Sequence, residues 1–531
     1  MRVLLVYPRY PVTYWSFDAA LALAGQRALM PPLGLLTAAA LLPSHWQLRL
    51  VDTNVQPLRD DDWSWAELVI CSAMIVQKRN LASCIAEAKD RGLPVAVGGP
   101  FASATPDAPE LHRADYLILD EGEITIPAFV AALERGERGG RFSATGDKPD
   151  ITCSPVPRFD LLDLTAYNTM AVQFSRGCPF QCEFCDITVL YGRRPRTKEP
   201  AQLLAELHAL HQLGWRGEVF LVDDNFIGNK RNVKRLLPHL LAWQLQHGFP
   251  FAFTTEASVD LAAEPELLTA MAQCRFRRVF LGIETPDAAS LQGASKHQNT
   301  RQPLVEAVDT ITAAGLQVMA GFILGFDGER AGAGQRIVDF VNATAIPLAM
   351  VGVLQALPTT ALWHRLNAEG RLLTTSTPGF ADGVQTHLLN FRPTRPMAEI
   401  ATEFLACFDQ LYEPRAYLQR AFRTCQKLGL PRWPQLGHRR QRLPWHVLAA
   451  LAWRQGLQRN SRWLFWRQLI QLSWQRPQLL ADYLWMLLVE EHMLFYRAVV
   501  HREVEAQLAS PLLSGAPAAP PRWAPAVGSR P

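Results

Sequence analysis

A chain of 531 residues with 53 Lys and Arg against 49 Asp and Glu has a formal charge of +4, which excludes a protein built to coat nucleic acid. At 49% hydrophobic and 19% charged residues the composition excludes disorder over most of the length, and suits roughly two to four domains. Nine cysteines in so long a chain, with no secretory segment, exclude a disulfide framework and imply a reducing compartment, so clustered cysteines read as metal ligands or catalysts.

The apolar run at Arg2 to Tyr7 is too short for a signal peptide and reads as a strand. Further strands are expected at Gln47 to Asp52, Leu68 to Ser72, Pro94 to Gly98 and Tyr116 to Leu119, alternating with helical segments. This pattern predicts a parallel sheet covered on both faces over residues 1–140. Its strand ends carry Tyr7-Pro8, Asp52, Ser72, Gly98-Gly99-Pro100 and Glu121-Gly122, which mark a binding edge or simply terminate strands.

Turn-forming residues identify a linker at 141–165. Over 166–365 the alternation returns, with strands expected at Met170 to Ser175, Glu218 to Val222, Phe251 to Glu256, Arg278 to Ile283, Gln317 to Leu324 and Met350 to Ala356. Six such units in about 190 residues favour a curved parallel sheet closing part of a barrel, with its active face at the strand carboxyl ends. Residues 366–509 carry apolar positions at helical spacing and predict an all-helical domain, while 510–531, crowded with Ala, Pro and Gly, reads as a disordered tail. The uncharged stretch from Ala343 to His364 holds Pro347, Gly352 and Pro358, which argue against a membrane span, so a cytoplasmic location is expected.

Ser175 to Asp186 contains Cys178, Cys182 and Cys185 at CxxxCxxC spacing, directly after the first strand of the second α/β domain. Three thiolates can hold three irons of a four-iron cluster and leave the fourth open to a small molecule. The alternatives are a structural zinc, which usually takes four protein ligands, or three unrelated core cysteines. The other six cysteines are scattered singly and offer no fourth ligand. Asp223 and Asp224, Glu256 and Ser258, and Glu284 fall at the ends of successive later strands, either as site groups or as helix N-caps. Arg193, Arg194, Arg196 and Lys198 follow the cysteines, either facing an anionic cofactor or forming a solvated basic loop.

The cysteine loop at the start of a six-unit partial barrel resembles the radical S-adenosylmethionine (SAM) superfamily. The resemblance implies a [4Fe-4S] cluster on Cys178, Cys182 and Cys185, whose open iron binds SAM and yields a 5'-deoxyadenosyl radical. It places Phe184 near the adenine and makes Asp223, Asp224, Glu256, Ser258 and Glu284 candidates for holding SAM. The Gly-Gly-Glu element common in that superfamily is replaced by Asp223-Asp224-Asn225.

The N-terminal domain is similar to the Rossmann-like cobalamin-binding domain of a large radical SAM subclass. That similarity implies cobalamin contacts at Tyr7, Pro8, Asp52, Ser72, Gly98, Gly99, Pro100, Glu121 and Gly122, with the two glycines admitting the corrin close to the backbone. The Asp-x-His-x-x-Gly loop that supplies cobalt's lower ligand is missing, since the first histidine is His45, so water or no lower ligand is implied. Trp15-Ser16-Phe17, Pro31 to Gly34, Ser72-Ala73-Met74, Cys182 to Ile187, Tyr191-Gly192-Arg193 and Asp223 to Phe226 extend the resemblance over nearly the whole chain. They are similar to cobalamin-dependent radical SAM proteins with a helical C-terminal extension, the group that includes the hopanoid C-2 methylase.

What this implies is methyl transfer from methylcobalamin to an unactivated carbon of a small, lipid-like substrate. The electron donor implied is of flavodoxin or ferredoxin type, and no nucleic-acid partner is expected. The alternative enzyme class performs oxidative cyclisation or rearrangement of a tetrapyrrole or terpenoid; a non-enzymatic iron-sulfur protein is the third reading. Between Glu413 and Asp482 there is no acidic residue, while thirteen Arg or Lys are interleaved with Trp433, Trp445, Trp453, Trp463, Trp466 and Trp474. Such a stretch predicts either peripheral contact with the inner face of a membrane or a helical cap whose tryptophans pack inward.

Overall fold

A computed structural model describes residues 1–144, 146–373, 385–430 and 444–509. Trp433 and the tail expected to be disordered lie outside the described residues. Strands Arg2–Tyr7 (β1), Gln47–Asp52 (β2), Leu68–Ser72 (β3), Val95–Gly98 (β4), Tyr116–Ile118 (β5) and Gly140–Phe142 (β6) form one parallel sheet in the order β2-β1-β3-β4-β5-β6. Alternate side chains enter two separate cores: Leu4, Val6, Val69 and Val97 face one, while Val3, Leu5, Ile70 and Ala96 face the other. The order reverses between β1 and β3, which opens a crevice beyond the carboxyl ends of these strands. β6 lies where turn-formers predict a break; its three residues show no strand pattern, and it forms because β5 offers an edge to pair with.

The second sheet contains Thr169–Val172 (β7), Glu218–Leu221 (β10), Ala252–Ala257 (β11), Phe276–Glu284 (β12), Gln317–Leu324 (β13) and Leu348–Val353 (β14). All pair in parallel and in sequence order, so the sheet curls without closing and leaves β7 and β14 as its edges. A small antiparallel hairpin, Ser175–Arg176 (β8) with Arg196–Thr197 (β9), follows β7 and carries the cysteine loop between its strands.

Helices cover the barrel's outer face. In Lys230–Gln246, capped by the Asn229 side chain, the buried Val233, Leu236, Leu237, Leu240, Trp243 and Gln244 fall on one helical stripe. The C-terminal region is helical, with Met397–Leu411, Pro414–Lys427, Trp445–Trp453, Arg462–Gln475 and Leu480–Leu508. It shares one continuous core with the barrel, and the Tyr412 hydroxyl donates to the Ala349 carbonyl of β14 at 2.7 Å. Among the described residues no helix is long and apolar enough to cross a membrane.

Candidate cluster and cofactor site

Cys178, Cys182 and Cys185 are all partly exposed on the loop between β8 and β9. Gly177 opens the loop at φ +92°, and a Cβ there lies 2.8 Å from the Gly192 carbonyl oxygen, so only glycine lets the two limbs close on each other. Each sulfur faces a donor. The Phe180 amide serves Cys178, the Ile187 amide serves Cys185, and Gln298 Nε2 donates to Cys182 Sγ at 3.5 Å. Asn225 Nδ2 stands 4.0 Å from Cys178 Sγ. Burial pushes the Cys185 thiol up to about 12, and the facing amide opposes it. Among the described residues no three His, Cys, Asp or Glu side chains converge on one ion position, as a structural zinc requires. Three thiols spread along one loop suit a cluster in which each sulfur takes its own iron.

The root of this loop is clamped by the two carboxylates that follow β10. Asp223 Oδ1 accepts the Phe174 amide at 2.8 Å, and Oδ2 accepts the Ser175 amide at 2.8 Å and its hydroxyl at 2.6 Å. Asp224 accepts the Gly177 amide at 2.8 Å. Asp223, expected to hold SAM, is buried with both oxygens engaged by the protein, so it positions the cysteine loop instead. Burial pushes Asp223 up to about 7 and Asp224 up to about 6.

The carboxylate of Glu256, near the end of β11, has no hydrogen-bond partner among the described residues. Burial and the neighbouring Asp224, Asp223 and Glu284 carboxylates push it up to about 8. The Ser258 hydroxyl accepts from Asn225 Nδ2 at 3.1 Å and donates to Asp260. Glu284 ends β12 at φ +64°, a conformation rare outside glycine, where the β12–β13 register breaks, and its carboxylate pairs with buried Lys296. Lys296 Nζ also lies 5.7 Å from the Phe184 ring. Phe184 packs edge-on against Phe326 at a centroid distance of 5.9 Å. These groups share the carboxyl edge of the barrel, where barrel enzymes keep their chemistry.

The carboxyl ends of both sheets face a common cleft with about 1760 Å³ of atom-free space, counting its open mouth. Tyr7, Ser72, Gly98, Gly99, Pro100, Glu121 and Gly122 line it from the first domain, and Gln173, Arg176, Tyr191, Val222 and Asp224 from the barrel side. Pro8 and Asp52, also expected at this cleft, do not line it. Asp52 accepts the Asn54 amide at 2.9 Å and the Tyr167 hydroxyl at 3.0 Å, which ties β2 to the segment before β7. The Pro8 carbonyl accepts from the Gln77 side chain. At Gly99, which sits at φ +91°, a Cβ would lie 2.6 Å from Ser72 Oγ, so the turn itself also requires glycine there. Among the described residues no histidine lines the cleft.

Glu121 reaches the cleft, but its carboxylate accepts from Arg176 and Arg196 of the hairpin, each at 2.8 Å. Arg176 also reaches both Glu123 oxygens, at 2.8 and 3.0 Å. Burial alone raises Glu123, but the Arg176 guanidinium outweighs it and holds the carboxyl down to about 2. This buried network fastens the first domain to the cysteine loop. Of the cationic run downstream, Arg196 and Lys198 are paired, with Glu121 and the buried Glu206, while Arg193 and Arg194 stay exposed.

The radical SAM superfamily profile matches residues 172–341, and a domain of unknown function, DUF4070, matches residues 360–506. The chain is 54% identical to an uncharacterised methyltransferase of Synechocystis, over 96% of this chain and 94% of that one. It is 39% identical to the hopanoid C-2 methylase of Rhodopseudomonas palustris, over 79% of this chain and 78% of that one. The chain belongs to the radical SAM methyltransferases. Its fold is that of the cobalamin-dependent SAM radical enzyme OxsB, at TM-score 0.59 and 15% identity, covering 96% of this chain and 80% of that chain.

A radical SAM methyltransferase requires a [4Fe-4S] cluster and SAM, and the donor set fits the cluster: three thiols, each facing a nitrogen donor. Four groups around this site escape a reading of the sequence: Arg176, Asn225, Lys296 and Gln298. Asn225 directly follows the Asp pair, a local signal that the sequence itself carries. Lys296 and Gln298 meet the cysteines only through the fold. Gly177→Ala is expected to lower iron content after anaerobic reconstitution and to cost about 1–3 kcal/mol of stability, read by denaturant unfolding, because alanine strains a left-handed backbone.

Proposed function

We propose that this radical SAM methyltransferase adds a methyl group to an unactivated carbon of a lipid-like, hopanoid-type substrate, with cobalamin as the methyl carrier. The observation that carries the proposal is adjacency: Asp224 lines the inter-domain cleft, and the next residue, Asn225, reaches toward the Cys178 sulfur. A methyl carrier in the cleft and a cluster on the loop therefore share one wall. When bound, the cluster with SAM supplies hydrogen-atom abstraction and cobalamin supplies the methyl group.

The chain's own residues perform the rest. Cys178, Cys182 and Cys185 are the proposed iron ligands, and Asp223 with Asp224 fixes their loop through the amides of residues 174, 175 and 177. Glu256, lacking a protein partner, is the proposed acceptor for a SAM donor group, with Phe184 against the adenine and Ser258 and Glu284 beside it. Leu33, Leu41, Ile70 and Ile118 give the cleft aliphatic walls suited to a corrin, and Tyr7, Ser72, Gly98, Pro100 and Gly122 are its proposed contacts.

The site we propose for this work is the cytoplasm at the inner face of a membrane, with a flavodoxin or ferredoxin as electron donor. Lipid extracts of cells with and without the gene test the substrate: a compound heavier by one methyl group is expected only where the gene is present. A pigment altered by oxidation or ring closure, with the lipids unchanged, contradicts the reading.

A further inference from the structure

Helix Arg462–Gln475 is turned inside out for an ordinary surface helix. Phe465, Gln468 and Leu472 face inward, while Trp463, Arg467, Ile470 and Trp474 recur at helical spacing along the outer stripe. Trp463, Ile470 and Trp474 are 75%, 62% and 89% exposed. The helix before it repeats the pattern: Val447 and Leu451 are buried, and Trp445, Leu448 and Trp453 are exposed. Leu457 follows, also exposed. Among the described residues, inward packing, the alternative for this tryptophan-rich stretch, holds only for Trp466, which is half-buried with its indole N–H donating to the Gly456 carbonyl at 2.9 Å. Indoles and isoleucine exposed in a stripe mark a surface that something else covers.

Charge identifies what covers it. The segment between Glu413 and Asp482 has thirteen basic residues and no acidic one. Several of these are occupied within the protein: Lys427 pairs with Asp309, and Arg454 and Arg459 pair with Glu491. Arg462 and Arg467 are exposed and have no ion-pair partner among the described residues, and they sit on the same helix as the outer stripe. A surface that is apolar, tryptophan-rich and purely cationic matches the interface of an anionic bilayer, where indoles settle at head-group level and arginines meet lipid phosphates. A second copy of this chain would bring the same positive charge against itself.

We propose that helices Trp445–Trp453 and Arg462–Gln475 dock this protein onto an anionic lipid surface, with Trp463, Ile470 and Trp474 entering the head-group layer. The inference stands on this surface and needs no bound cofactor, so vesicle binding and methyl transfer fail or succeed independently. If the substrate is lipid-like, the docked protein meets it where it resides.

The test is sedimentation of the full chain with vesicles of phosphatidylcholine alone and of phosphatidylcholine mixed with phosphatidylglycerol. Binding is expected to the mixed vesicles only, and to weaken as salt rises from about 0.1 to 1 M, which shortens the screening length from about 10 to 3 Å. The triple variant Trp463→Ala, Ile470→Ala, Trp474→Ala removes exposed side chains only, so its circular dichroism should match the parent while its bound fraction falls about tenfold or more. Arg462→Gln with Arg467→Gln should reduce both binding and its salt dependence. Equal binding to the two vesicle types, or none to either, overturns the proposal. So does a dimer, seen by light scattering without lipid, that the triple variant dissociates.

Discussion

Cys178→Ala is expected to leave a folded protein that reconstitutes with little iron and releases 5'-deoxyadenosine from SAM only at background level. The loop is partly exposed, and its root is held by Asp223 and Asp224 rather than by the cysteine, so loss of one sulfur does not unfold it. Two remaining thiols cannot hold a cluster that has only three protein ligands. Iron content, the visible absorbance of the reconstituted protein and deoxyadenosine release under reducing conditions provide the readout. Asn225→Ala and Gln298→Ala give the contrast. Each removes a nitrogen that faces a sulfur, so cluster content or activity should drop about 10- to 100-fold at most, without vanishing.

Arg176→Ala is expected to have the largest effect on stability, about 3–5 kcal/mol, because it strands Glu123 and half-strands Glu121 inside the domain interface. The sign of its pH dependence follows from Glu123. Its folded value of about 2 lies below the ordinary value of 4.5, so the ion pair stabilises fully above about pH 4.5 and loses its contribution as pH falls toward 2. A depression of that size corresponds to about 3 kcal/mol. The difference in unfolding free energy between parent and variant should therefore be widest near neutrality and shrink on acidification. Urea denaturation at several pH values measures it, and a difference independent of pH would place the effect elsewhere.

What the sequence reveals of the fold follows from the kind of element. β1, β3 and β13 are buried on both faces and read as near-continuous apolar runs, so their bounds coincide with the expected ones. β6 has no such run, and its pairing is decided by its neighbour. Within the expected all-helical region, the charged sequence of Pro414–Lys427 conceals which face it buries: Arg420 is buried, with its guanidinium 5.3 Å from the Tyr417 ring. The three cysteines are legible because their spacing is local. The sequence puts carboxylates at strand ends without saying where they point, and Asp223 turns toward the loop amides while Glu256 is left without a partner. Lys296 and Gln298 reach the site from a separate β/α unit, more than a hundred residues from the cysteines, and only the tertiary fold brings them there.

The same limit applies to the tryptophans. Their number and spacing are plain in the sequence, whereas the direction in which each helix turns its stripe depends on which residues its neighbours bury. Phe465 and Leu472 face inward and Trp463 and Trp474 face outward, a choice made by packing against the neighbouring segments, helices Pro414–Lys427 and Leu480–Leu508 among them, and not by hydrophobicity alone.

Anaerobic turnover with reconstituted protein, cobalamin, reductant and an acceptor lipid is the most direct trial, with the small-molecule products quantified by mass spectrometry. The expected result is a methylated lipid accompanied by equal amounts of 5'-deoxyadenosine and S-adenosylhomocysteine, one SAM serving each half of the reaction. Deoxyadenosine formed with an altered substrate and no S-adenosylhomocysteine would contradict methyl transfer.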